Sequence, residues 1–66
     1  MHIDPKKIKL LMARRCMNNK RLAEMAVITQ PTISKAISGS NVRTDTVGLI
    51  ARALGVDPSE IIKEEQ

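Results

Sequence analysis

The chain contains no phenylalanine, tyrosine or tryptophan among its 66 residues. Its core must therefore be built from Ile, Leu, Val, Met and Ala, which suits close packing of helices. The same absence removes the aromatic platforms on which single-stranded bases stack. A single cysteine, Cys16, excludes an internal disulfide and is compatible with a reducing compartment. No apolar run approaches the ~20 residues needed to cross a bilayer. The opening MHIDPKK lacks the apolar stretch of a signal peptide. The expectation is one cytoplasmic domain over residues 1–66, with a small core, marginal stability and no room for a deep cavity.

Metal-binding and catalytic groupings are equally scarce. The only histidine, His2, is expected on a loose terminus, and Cys16 lies near the end of the first helix. Together they make no ligand set, because a zinc site takes three or four protein ligands. No Ser or Cys stands in a motif with a base, and no glycine-rich phosphate loop is present. Met12, Met17 and Met25 fall at helical spacings and read as core or gap-filling residues. The expectation is no metal, no cofactor, no small-molecule ligand and no enzymatic activity.

What is abundant is positive charge, unevenly placed. Residues 1–43 carry nine Lys or Arg against two acids, whereas residues 44–66 carry two against five. A basic front and an acidic back suit a polyanionic partner for the front. The Lys6, Lys7 and Lys9 cluster reads as a solvated face rather than a dedicated site.

Punctuation divides the chain into five short helices, with no strand candidate and no internal repeat. Asp4-Pro5 opens helix 1, with Ile3 and Ile8 placed to form a hydrophobic staple. Ile8, Leu11, Met12 and the stem of Arg15 make its inward stripe, and it ends near Met17 before Asn18-Asn19. Helix 2 runs from Asn19 to Ala26, capped by Asn18. Helix 3 runs from Gln30 to about Ser38, capped by Thr29, with Pro31 in its first turn and Gly39 after it. Residues 38–43 form a loop. Helix 4 spans Thr44 to Leu54, with Val47, Ile50, Ala51 and Leu54 inward. Asp57-Pro58-Ser59-Glu60 opens helix 5 with a capping box. Ile61 and Ile62 supply its apolar contacts, and the KEEQ tail is expected to fray.

Only Val27-Ile28-Thr29 join helices 2 and 3. So short a link makes the helices cross steeply, as in a helix-turn-helix, whose second helix enters the major groove. The faces of helix 3 agree. Ile33, Ala36 and Ile37 point inward. Gln30, Pro31, Ser34 and Lys35 point outward, with no acid to repel phosphate. Gln can pair with adenine N6 and N7, and Lys can reach guanine O6 and N7.

The stretch LAEMAVITQPTISKAISG, Leu22 to Gly39, resembles the core of the Cro and phage-repressor (XRE-like) helix-turn-helix family. The later segment RTDTVGLIARALGVDPSEII is similar to the fourth and fifth helices of that family. The resemblance covers about residues 6 to 62 and implies an all-α, compact five-helix domain that binds double-stranded DNA. It implies base contacts for Gln30, Pro31, Ser34 and Lys35. It implies phosphate contacts for Asn18, Asn19, Thr29, Ser38, Ser40, Asn41 and Arg43.

The chain departs from the family pattern in three ways. Val27 stands where glycine is usual, and a β-branched residue at positive φ costs about 1–2 kcal/mol. Met12 and Ile37 replace a buried Arg–Glu pair, a swap that strands no charge. Leu49 holds a position that is often exposed, off the inward stripe. Repressors of this family commonly dimerise, which implies a homodimer contact through Leu49, Pro58 and Ile62. The function implied is a sequence-specific regulator, a repressor acting by occlusion. The alternative is a protein-interaction module of the same fold, such as an antitoxin or anti-repressor partner. Double-stranded RNA is disfavoured, since its deep, narrow major groove does not admit a helix.

Overall fold

The computed structural model describes residues 1–63. Four α-helices follow in order: α1 (Pro5–Arg14), α2 (Asn19–Ala26), α3 (Gln30–Ile37) and α4 (Thr44–Leu54). The fifth helix expected from the sequence is a single 3-10 turn, Pro58–Glu60. Its capping box is present: Glu60 Oε2 accepts from the Asp57 amide at 3.1 Å, and Asp57 Oδ2 accepts from the Ser59 amide at 3.0 Å. Capping chemistry alone did not propagate a helix, because only Ile61 and Ile62 follow to pack an apolar face. The expected fraying of the tail falls on residues 64–66, outside the described residues.

Fourteen apolar side chains form one core, drawn from all four helices and from Ile3 and Ile61. Ala23, Ala26, Ala36 and Ala51 are all buried, and their small size lets backbones approach without aromatic spacers. No polar side chain is buried among the described residues.

Each helix ends the same way. The first residue beyond the helical turn adopts a left-handed conformation, and the next amide reaches back to a carbonyl five residues earlier. At α1 these are Cys16 (φ +53) and the Met17 amide on Met12 O, 2.9 Å. At α2 they are Val27 (φ +57) and the Ile28 amide on Ala23 O, 3.0 Å. At α3 and α4 the left-handed residues are Gly39 (φ +90) and Gly55 (φ +71). Helix α1 thus stops at Arg14, short of the Met17 boundary expected from Asn18-Asn19. The closing turn places Met17 against the core beside Met12. Arg15 is exposed and contributes no stem to the inward stripe; its guanidinium lies against Gly55 instead.

The terminus expected to be loose is anchored. Ile3 is fully buried and forms an antiparallel bridge with Ile62, while His2 bridges Asn41. The Asp4 amide donates to Ile61 O at 2.8 Å, the Lys63 amide to His2 O at 2.9 Å, and the Val42 amide to Met1 O at 2.7 Å. His2 Nδ1 is 2.9 Å from Gly39 O. The segment straps the loop after α3 to the segment after α4. Ile3 and Ile8 are both fully buried across the Asp4 cap, as the staple requires.

Candidate nucleic-acid interface

Helix α3 divides into two faces along its length. Ile33, Ala36 and Ile37 are buried, while Gln30, Pro31, Ser34 and Lys35 are all exposed. The division follows from helical periodicity, which sends i, i+3 and i+4 to one side. Pro31 sits in the first turn, where its missing amide costs nothing. Among the described residues no acid lies on α3.

The helix starts differ in how they are capped. Asn18 Oδ1 accepts from the Arg21 amide at 2.8 Å, so its side chain already serves α2. Thr29 precedes α3 but gives no side-chain cap; its hydroxyl lies 2.9 Å from that of Thr32. The amides opening α3 therefore remain available to an anion, which the helix dipole favours. Arg43 likewise offers α4 no side-chain cap.

The loop after α3 is partly committed to itself. Ser38 Oγ donates to Lys35 O at 2.8 Å and lies 3.2 Å from Ser40 Oγ. Asn41 Oδ1 accepts from the Met1 amine at 2.7 Å. These contacts fix the loop and leave Arg43 as its exposed cation. Its side chain is 85% exposed, and its Nε lies 3.6 Å from Asp45 Oδ1. A pair so exposed contributes little and yields readily to a stronger anion.

Two further cations join the surface that sequence reasoning assigned to Asn18, Asn19, Thr29 and Gln30. Lys20 lines one open hollow with Thr29 and Gln30, and a second with Lys9, Asn18 and Asn19. It thus connects the start of α2 with the start of α3. From the sequence Lys9 reads as part of a solvated face with Lys6 and Lys7, and Lys20 is not singled out. The nine-to-two charge imbalance was the available signal, but it does not say which lysines share a surface. Met12 and Ile37 border the hollow that holds Lys9 and Lys20. They are 6% and 8% exposed, apolar side chains closing the place where the family pattern has an ion pair.

Leu49 and Pro58 are exposed, whereas Ile62 is half-buried against the core through its bridge to Ile3. Among the described residues no group of three His, Cys, Asp or Glu is placed to hold a metal ion. No helix there is long and apolar enough to cross a membrane.

Among solved structures the chain is similar to part of a hydroxyethylphosphonate dioxygenase mutant, with a TM-score of 0.86 and 23% identity. It is also similar to native PhpD with cadmium atoms, with a TM-score of 0.84 and 23% identity. Both likenesses cover 100% of this chain but only 14% of the other, so the chain spans a small part of those proteins. At that identity the likeness concerns the fold. No curated protein matches the sequence. Residues 7–66 match the Cro/C1-type helix-turn-helix DNA-binding domain, and the chain belongs to that family.

Proposed function

We propose that the protein is a sequence-specific, non-enzymatic regulator that binds double-stranded DNA as a homodimer and represses by occlusion. The observation that carries this reading is the outward face of α3, where Gln30, Pro31, Ser34 and Lys35 are exposed without an acid among them. In the proposal α3 lies in the major groove, Gln30 and Lys35 bond base edges, and Pro31 and Ser34 pack against the bases. Asn18, Asn19, Thr29, Ser38, Ser40, Asn41 and Arg43 hold phosphates on either side, joined by Lys9 and Lys20. Repression by occlusion asks only that the bound protein cover its site.

The test is selection of bound duplexes from a random DNA library at near-physiological salt. The expected product is an inverted repeat with half-site centres about 10 bp apart. A single enriched half-site would keep base reading and remove the dimer. No enrichment with folded protein would overturn the reading.

A second reading, a protein-interaction module, is favoured by the exposed apolar side chains of Leu10, Met25 and Val27. Stoichiometric capture of a protein partner, together with sequence-independent DNA binding, would support it over the first.

A further inference from the structure

We infer that the outer face of α4 is a self-complementary seam on which a second copy packs antiparallel about a two-fold axis. This rests on the homodimer proposed above and assigns its contact.

Helix α4 buries Val47, Ile50, Ala51 and Leu54. At about 100° per residue, the opposite side carries Asp45, Gly48, Leu49 and Arg52. All four are exposed. The order along the helix is acid, glycine, leucine, arginine, and the midpoint between Asp45 and Arg52 falls between Gly48 and Leu49. When an identical helix is laid antiparallel about that midpoint, each Asp45 faces the other copy's Arg52. Each Leu49 faces the other copy's Gly48. Charge and shape are satisfied twice by one operation, which is what an isologous contact demands.

Gly48 supplies an independent argument. A β-carbon there would meet nothing within 4 Å. Its φ is not in the left-handed region. Nothing within the monomer therefore calls for glycine, although glycine weakens an exposed helix interior. A leucine from a facing helix gives the residue a purpose, because the missing β-carbon is the space Leu49 of the second copy fills. Leu49 itself is 42% exposed, and a facing helix would cover it. On its own chain Asp45 Oδ1 accepts from the Thr46 amide at 2.9 Å and lies 3.6 Å from Arg43 Nε, but with 67% of its side chain exposed Asp45 can receive a second cation. Among the described residues Arg52 forms no ion pair. A single helix pair makes a small contact, so the association belongs to the weak, concentration-dependent class.

Sedimentation velocity over a wide concentration range tests this on the full chain, with circular dichroism to verify folding. The wild-type chain should show a monomer–dimer equilibrium. Asp45→Arg sets like charges opposite each other twice and should weaken it by about tenfold or more. Adding Arg52→Asp to Asp45→Arg reverses both charges and should restore the association to within about threefold of wild type. Gly48→Ala should weaken association while raising the melting temperature by about 4–8 °C. A merely structural role would not divide stability from assembly in that way.

Failure to restore association with the double reversal would overturn the seam. So would dimerisation that Asp45→Arg and Gly48→Ala leave unchanged, which would move the contact to another surface. A wild-type chain monomeric at all concentrations, alone and on DNA, would overturn seam and homodimer together. Binding to a single half-site, measured in parallel, reports on DNA reading separately from either.

Discussion

A β-carbon on Gly55 would lie 3.1 Å from Nη2 of Arg15, so the guanidinium covers the point where α4 ends. Gly55 has φ +71, and the Val56 amide closes the turn on Ala51 O at 3.0 Å. Two effects coincide there: the backbone needs glycine, and the helix terminus favours a cation. Gly55→Ala should cost about 1–2 kcal/mol from the left-handed conformation alone, with added crowding against Arg15. Arg15→Ala should cost less, about 0.3–1 kcal/mol, because the side chain is exposed and the interaction is screened. Urea denaturation at low and high salt distinguishes them: the Arg15 effect shrinks with salt and the Gly55 effect does not.

Val27 carries the opposite mismatch. It adopts the left-handed conformation at φ +57 with its side chain 87% exposed, so it pays backbone strain and gains almost no burial. Val27→Gly relieves about 1–2 kcal/mol of strain. It also increases unfolded-state freedom, worth about 0.4–1 kcal/mol in the other direction. The strain wins, and the midpoint of denaturation should rise by a net of about 0.5–1 kcal/mol. Cys16→Gly, at φ +53 and also exposed, should move the same way. A lower midpoint for both variants would show that these turns are unstrained.

Ile3 lies before the first helix yet is fully buried. Ile3→Ala should destabilise the domain by about 2–5 kcal/mol, as for any large-to-small core substitution. Total stability for a domain of this size is about 0.05–0.15 kcal/mol per residue, about 3–10 kcal/mol, so the variant should lose a large share of it. Thermal denaturation measures this. A loss under about 0.5 kcal/mol, the surface range, would show that the N-terminal strap is dispensable.

The contrast between Ile3 and α4 shows what the sequence carried. The inward residues of α4 recur at helical period, and its boundaries Thr44 and Leu54 are those observed. The two faces of α3 were legible for the same reason. Ile3 was legible through its staple with Ile8, but the extended segment it belongs to is tied by hydrogen bonds to distant residues, and no period over so short a stretch announces that strap. The 3-10 turn at Pro58–Glu60 bears genuine capping signals, which mark a start but not a length. For the interface, residue types on the outward face of α3 named Gln30 and Lys35, and the family resemblance named Arg43. Lys20 emerged only when α2 and α3 were brought together around Thr29 and Gln30.

Asp57 accepts from both the amide and the hydroxyl of Ser59, and these hydrogen bonds hold its carboxyl below the usual aspartate range. The sign follows from linkage. The contribution is present above the unfolded value near ~4 and is lost as pH falls through the lower folded value. Asp57→Asn keeps a capping acceptor but removes the titration. The gap in melting temperature between wild type and variant should therefore narrow as pH falls below about 4. A gap independent of pH would remove Asp57 from the acid response.

The proposed contacts on DNA divide by what they read. Gln30→Ala or Lys35→Ala removes an exposed group on α3 that packs nothing in the core, so folding should be unaffected. If each reads a base edge, its loss should cost about 1–3 kcal/mol on the preferred site and relax preference at one position. Arg43→Ala and Lys20→Ala should weaken all sequences alike and lower the slope of log K against log salt by about one each. Arg43 sacrifices only its weak pair with Asp45 on binding, so the full phosphate contact should be visible. Titrations of matched and mismatched duplexes at several salt concentrations separate the two classes. An equal loss on every sequence from Gln30→Ala would reassign it to the phosphate backbone, leaving Lys35 to carry specificity from α3.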